Sequence, residues 1–187
     1  MELIKWLVRR LKGILLTPDT EWLAIAREKS DASALFIRYV AIMAVIPALA
    51  RFIGAALVGW FAPIWSSLAG ALVIYLSGFA IVYGLALIID VLAPMFGGQK
   101  DFAAALKLAV YATTPVWIAG IFLLVPGLSF LVVLGLYGVY LLWSGLPILM
   151  QAPAEKTLPY AAAAAGCALI MAIGLGLSVA PLFSAPA

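Results

Sequence analysis

The chain has 187 residues, 67% of them hydrophobic and 10% charged, with a net charge of +3 and a mean hydropathy of +1.20. A soluble domain carries roughly 45–50% apolar and about 25% charged residues, so this composition cannot coat a water-facing surface and excludes an ordinary soluble fold. There is no histidine, which removes imidazole catalysis and histidine metal ligation, and the single cysteine, Cys167, leaves no intrachain disulfide or multi-cysteine metal site.

Residues 1–33 read as a cytoplasmic, basic, amphipathic arm of two short helices. Leu3, Ile4, Leu7, Val8, Leu11, Ile14 and Leu15 recur at three- to four-residue spacing, with Lys5, Arg9, Arg10 and Lys12 between them. That pattern predicts a helix lying in the membrane interface. A signal peptide would instead place its charges before an unbroken apolar core. Each cation gains on the order of 1 kcal/mol beside anionic cytoplasmic lipid. In the second helix Thr17 suits the N-cap, Pro18 the first position, and Asp19 and Glu21 the positive end. Trp22 and Ile25 are placed to hold it to the membrane or to the bundle. The arm reads as a membrane-surface anchor, with a partner-docking surface as the alternative.

Residues 34–187 read as a membrane domain of five apolar spans, at 34–60, 66–93, 106–125, 128–150 and 159–183. Charge-free runs such as 52–89 and 108–154 far exceed a transmembrane strand and lack its apolar/polar alternation. The fold class is therefore all-α and polytopic. Pro63 with Trp65, Ser66 and Ser67 breaks the first pair of spans, 94–101 is a polar loop, and Pro126-Gly127 makes a tight turn. Asp101 suits the N-cap of the third span. Trp60, Phe61 and Trp65 form an aromatic belt at the outer interface.

Lysine and arginine assign the sides. Lys5, Arg9, Arg10, Lys12, Arg27 and Lys29 precede the first span, Lys100 and Lys107 flank the second loop, and Lys156 lies in the fourth, while the first loop, the third loop and the tail carry none. By the positive-inside rule the N-terminus is cytoplasmic and the C-terminus outside, as expected for an inner-membrane protein.

Four ionisable side chains fall in or at the edge of the spans: Arg38, Arg51, Asp90 and Lys107. A charge at mid-membrane costs about 2.5–3.5 kcal/mol on insertion scales and marks a candidate site. Arg38, Asp90 and Lys107 lie near one cytoplasmic level, so Asp90 is expected to pair with Arg38 or Lys107. This grouping reads either as an ion pair fixing helix packing or as a polar site for a headgroup, ion or partner. Arg51 lies about 20 Å further along its helix than Arg38, at 1.5 Å per residue. It either snorkels or meets an anionic lipid or substrate group. Pro47 and Pro115 interrupt apolar helices, with Thr113 and Thr114 at hand to satisfy freed carbonyls. Ala50 and Gly54, Ala162 and Gly166, and Gly174 and Gly176 are small-residue pairs that permit close helix approach.

No acidic cluster, phosphate-cradling loop or general base accompanies these residues, so neither an enzyme nor a metal or other cofactor is expected. The basic residues are too few and too close to the membrane for nucleic acid. The partners expected are membrane lipids, above all anionic ones, and then other membrane proteins or a second copy.

The ordered motifs resemble the Ypt-interacting protein (Yip) domain family in its bacterial branch, over residues 14–183. They are Leu15-Leu16-Thr17-Pro18-Asp19-Thr20-Glu21-Trp22, the stretch 39–54 with Ile46-Pro47, and Ile89-Asp90-Val91-Leu92-Ala93-Pro94 running into Phe96-Gly97-Gly98. Then come Tyr111-Ala112-Thr113-Thr114-Pro115-Val116-Trp117, Pro126, Leu136-Tyr137-Gly138-Val139-Tyr140, Gly145-Leu146-Pro147, Lys156 and Tyr160. The resemblance implies a five-helix membrane domain with a cytoplasmic N-terminus. Eukaryotic members look like adaptors of vesicle traffic that bind prenylated Rab GTPases and one another; their Asp-Leu-Tyr-Gly-Pro signature is missing here. The reading that follows is a non-enzymatic adaptor or membrane-organising protein. A lipid or small-solute translocator, with Arg51, Asp90, Tyr111, Thr113, Thr114 and Tyr137 along a path, is the alternative.

Overall fold

A computed structural model describes residues 2–28, 31–58 and 63–179. Trp60, Phe61, Lys29 and the tail after residue 179 lie outside the described residues. Two helices, α1 (Glu2–Leu16) and α2 (Pro18–Arg27), precede five helical segments long and apolar enough to cross a membrane: Ala32–Ala56, Ile64–Phe96, Phe102–Leu124, Gly127–Leu149 and Ala154–Ser178. No strand occurs among the described residues. The protein is an all-α polytopic membrane protein.

The spans are not uniform rods, and proline explains where they break. A proline ring clashes with the carbonyl four residues earlier and removes a backbone donor. Four residues before Pro47 is Met43, where α3 (Ala32–Met43) stops before α4 (Val45–Ile53) resumes. Pro115 acts one turn upstream in the same way, ending α6 (Phe102–Ala112) ahead of α7 (Thr114–Ala119). The Thr113 hydroxyl donates within its own helix, to the carbonyls of Ala109 at 2.9 Å and Val110 at 3.1 Å, and not to the Tyr111 carbonyl that Pro115 frees. Thr114 turns the other way, its hydroxyl 2.8 Å from that of Tyr39 in α3. The two broken spans are thus tied together beside their kinks. The second span is the uninterrupted α5 (Ile64–Leu92), and the third and fourth spans meet in 3-10 turns over Gly120–Leu124 and Pro126–Leu136. The fourth span ends as α8 (Tyr137–Leu149), and the fifth is α9 (Ala154–Val179).

Two glycines set how closely helices meet. A Cβ at Gly138 would lie 2.6 Å from the Ala112 carbonyl oxygen, so the third and fourth spans touch backbone to backbone. A Cβ at Gly145 would lie 2.9 Å from the Trp22 ring, which therefore fills the space that glycine leaves. Of the small residues expected to bring helices together, Gly54 does so against the Leu123 carbonyl, whereas Gly166, Gly174 and Gly176 meet nothing within 4 Å.

The arm belongs to the core. Ile14, Trp22 and Ile25 are fully buried in the same apolar cluster as Tyr39, Ile89, Tyr111, Leu141 and Tyr160. Trp22 also donates its indole N–H to Ser144 Oγ at 3.0 Å, and the Tyr137 hydroxyl donates to the Leu15 carbonyl at 3.1 Å. Trp22 and Ile25 therefore hold α2 to the bundle rather than to the membrane surface. Thr17 does not cap α2 with its side chain; its hydroxyl donates back to the Gly13 carbonyl at 3.2 Å. The Asp101 carboxylate does cap α6, accepting from Ala104 N at 3.1 Å.

Trp22→Ala should cost about 3–5 kcal/mol, the usual loss for a buried tryptophan, seen as a lower unfolding midpoint in detergent. Leu23→Ala, on the exposed side of α2, should leave the midpoint nearly unchanged. Equal shifts for the two variants would show that the arm is not packed as described.

Candidate functional site

The four arm cations separate into two groups. Arg10 lies three residues after Leu7 and four before Ile14, so it occupies the apolar stripe of α1. The helix turns it inward, and it is only 6% exposed. Its two terminal nitrogens pair with Glu21 of α2 and with Glu28 just beyond that helix. Its guanidinium carbon lies 5.8 Å from the Trp6 ring centroid and 5.6 Å from that of Tyr111 in α6, within cation–π range. Burial works against the charge, but Tyr111, Glu28 and Glu21 outweigh it and hold the guanidinium above its ordinary pKa. Arg10 is therefore a clasp between arm and bundle and leaves the exposed cationic surface expected of it. Lys5, Arg9 and Lys12 remain on the outer face, where with Val8 they line one shallow groove.

The expected ion pairs of Asp90 with Arg38 or Lys107 do not form. Tyr39 and Val40 face the core, so the helical turn carries Arg38 outward to an exposed position. Lys107 instead donates to the Glu28 carbonyl at 2.7 Å, at the end of α2. Glu28 thus receives Arg10 on its side chain and Lys107 on its backbone. The cation nearest Asp90 is Lys100, at 4.0 Å from Oδ2, while Oδ1 is buried without a hydrogen-bond partner among the described residues.

The loop after Asp90 closes over it. Gly97 takes a left-handed φ of 77°, which favours glycine. Gln99 N donates to the Met150 carbonyl at 2.8 Å, and the Phe96 ring stacks on Tyr160 at 5.0 Å. The Tyr160 hydroxyl donates to the Ile89 carbonyl. Lys100 and this clamp were missed in the sequence because both depend on how the 93–101 loop folds back.

The residues expected along a translocation path do not line one cavity. Tyr111 and Thr114 are fully buried in the core, Thr113 serves its own helix, Tyr137 reaches Leu15, and Asp90 sits under its loop. Arg51 lines a cavity of about 670 Å³ between α4, α5, α7 and the fourth and fifth spans, and none of the other five is among its lining residues. Arg51 is half-buried there. Among the described residues no group of three histidine, cysteine, aspartate or glutamate side chains is placed to hold a metal.

Arg10→Gln should destabilise the protein by about 1–3 kcal/mol, because it strands two partly buried carboxylates. Arg9→Gln, on the outer face, should have almost no effect on the unfolding midpoint. Matching effects would contradict an inward clasp at Arg10.

The comparisons agree with this architecture. The Yip1 domain family model matches residues 12–176. Two curated relatives, each the inner membrane protein YohC, come from Escherichia coli strain K12 and from Escherichia coli O6:H1 strain CFT073. Each is 27% identical over 180 residues, covering 89% of this chain and 92% of the relative. No solved structure matches. With its five apolar spans and a family match reaching from α1 into the fifth of them, the chain belongs to the Yip1 domain family.

Proposed function

We propose that this protein is a non-enzymatic inner-membrane organiser that engages anionic lipid through the outward face of α1 on the cytoplasmic side. One observation carries the reading: α1 is clasped to the bundle by Arg10 on one side while Lys5, Arg9 and Lys12 are presented on the other. Val8, 46% exposed, sits among those three cations. An apolar side chain ringed by cations suits the boundary between headgroups and acyl chains. The name of the YohC relatives supports an inner-membrane location, and the lysine and arginine distribution supports a cytoplasmic arm. Because the arm is fixed to the bundle, lipid contact at α1 is held in one orientation to the spans. Other membrane proteins, or a second copy, are the partner classes that the same face would serve next.

A translocator of lipid or small solutes is the second reading, and the Arg51 cavity favours it. Flux of labelled lipid or solute in proteoliposomes above that in protein-free vesicles would support it, and flux no greater would reject it.

The leading reading is tested with an environment-sensitive fluorophore at Val8→Cys, in a Cys167→Ser background, in nanodiscs. Emission should shift to the blue as phosphatidylglycerol replaces phosphatidylcholine. High salt should reverse the shift by screening, and Lys5→Gln/Arg9→Gln/Lys12→Gln should abolish it. Identical emission in the two lipids would reject the proposal.

A further inference from the structure

We propose that the elbow between α1 and α2, around Leu16, is a wedge immersed among the acyl chains of the arm-side leaflet, below its headgroups. Two spans act as rulers for where that leaflet begins. On α5 the exposed Trp65 and Tyr83 are 18 residues apart, about 27 Å at 1.5 Å per residue. That is close to the roughly 30 Å of bilayer hydrocarbon. No charged residue lies between them, and tryptophan and tyrosine favour the two interfaces. The fourth span gives the same measure. Gly127 to Leu136 rises about 20 Å in 3-10 geometry, and Tyr137 to Trp143 adds about 10 Å of α-helix. Hydrocarbon that starts at the remote turn therefore ends near the exposed Trp143. Asp90, seven residues past Tyr83, then stands about 10 Å outside the hydrocarbon, where the exposed Lys100 reaches it.

The elbow lies on the other side of that boundary. Tyr137 is six residues before Trp143, about 9 Å deeper along α8. Its side chain leans toward the start of the helix, which is deeper still. The Tyr137 hydroxyl holds the Leu15 carbonyl at 3.1 Å. Trp22 bonds Ser144, next to Trp143, at 3.0 Å, so α2 climbs along α8 from the elbow back to the boundary. Leu16 is 76% exposed at the turn, and an apolar side chain at that depth faces acyl chains. The backbone there is fitted for an apolar medium, in which each unmet polar group costs several kcal/mol. The Gly13 carbonyl accepts from Thr17 N at 2.9 Å and from the Thr17 hydroxyl at 3.2 Å. The Thr17 carbonyl accepts from Glu21 N at 3.1 Å and from the Thr20 hydroxyl at 3.0 Å. Lys12, one turn before Leu16, has a stem that snorkels toward the headgroups. Asp19 lies in the first turn of α2, at the positive end of that helix. An insertion of about 9 Å falls within the 5–10 Å of interfacial helices. Here the bundle fixes it in one leaflet, so the elbow spreads that leaflet's headgroups whatever their charge. It lies beyond the groove of Lys5, Val8, Arg9 and Lys12 and does not rest on the reading given to that face.

The test places a fluorophore at Leu16→Cys, in a Cys167→Ser background, in phosphatidylcholine nanodiscs carrying a nitroxide either on the headgroup or high on the acyl chain. Emission at Leu16 should fall more with the acyl-chain nitroxide. At Leu23→Cys, on the exposed side of α2 beside Trp22, it should fall more with the headgroup nitroxide. Lys5→Gln/Arg9→Gln/Lys12→Gln should leave the Leu16 result unchanged, because the spans and not lipid charge set its depth. The same triple variant abolishes the Val8 response to phosphatidylglycerol, so the two readings fail separately. Equal losses at Leu16, or a greater loss with the headgroup nitroxide, overturn the proposal. So does an acyl-chain preference at Leu16 that vanishes in the triple variant.

Discussion

A guanidinium held between two carboxylates and two aromatic rings organises the N-terminal third of this protein. Arg10 meets Glu21, Glu28, Trp6 and Tyr111 in one place, and those four come from three separate helical regions. An arginine placed in apolar surroundings without such partners would be strongly unfavourable, so the clasp closes only when α1, α2 and the third span have all arrived. Glu28 extends the constraint, since its carbonyl also receives Lys107. The buried Trp22 and Ile14 then complete a seam whose charged centre determines its register. A purely apolar seam would tolerate sliding; a guanidinium with two fixed carboxylates tolerates little.

The two ends of the bundle differ in charge. At the arm end the charges are numerous and several have partners: Arg10 with its glutamates, Asp90 with Lys100, Asp101 on the start of α6. The outer face of α1 carries Lys5, Arg9 and Lys12 at exposed positions. At the opposite end charge is sparse, and a single arginine lines a mainly apolar cavity. The kinks at Pro47 and Pro115 stand between these ends. Tyr39 and Thr114 bond across the broken spans, so the bends are locked to each other and the space beyond them persists as part of the fold.

Much of this was legible in the residues, and the omissions share a physical cause. The five spans follow from apolar run length, the Asp101 cap from its position ahead of an apolar stretch, and the breaks from Pro47 and Pro115. These are local effects, settled within one or two helical turns. The orientation of Arg10 was also written locally, because it interrupts the stripe of Leu7, Leu11 and Ile14, but its charge grouped it with Lys5, Arg9 and Lys12. Its partners were not legible, since Glu21 and Glu28 meet it only after the chain reverses between α1 and α2. Asp90 shows the same limit. Sequence depth placed it level with Arg38 and Lys107, yet depth says nothing of azimuth: Arg38 turns outward, Lys107 turns to Glu28, and the loop delivers Lys100. The Arg51 cavity needed five helical segments and two kinks before it existed at all.

The docked arm is the central claim, and a distance measurement tests it most directly. Spin labels at Lys12 and Trp143, both exposed, in a Cys167→Ser background would report the position of α1 against the fourth span in nanodiscs. A single narrow distance distribution that broadens in Arg10→Gln is predicted. A broad distribution in the otherwise unaltered protein, or an equally narrow one without Arg10, would contradict the account.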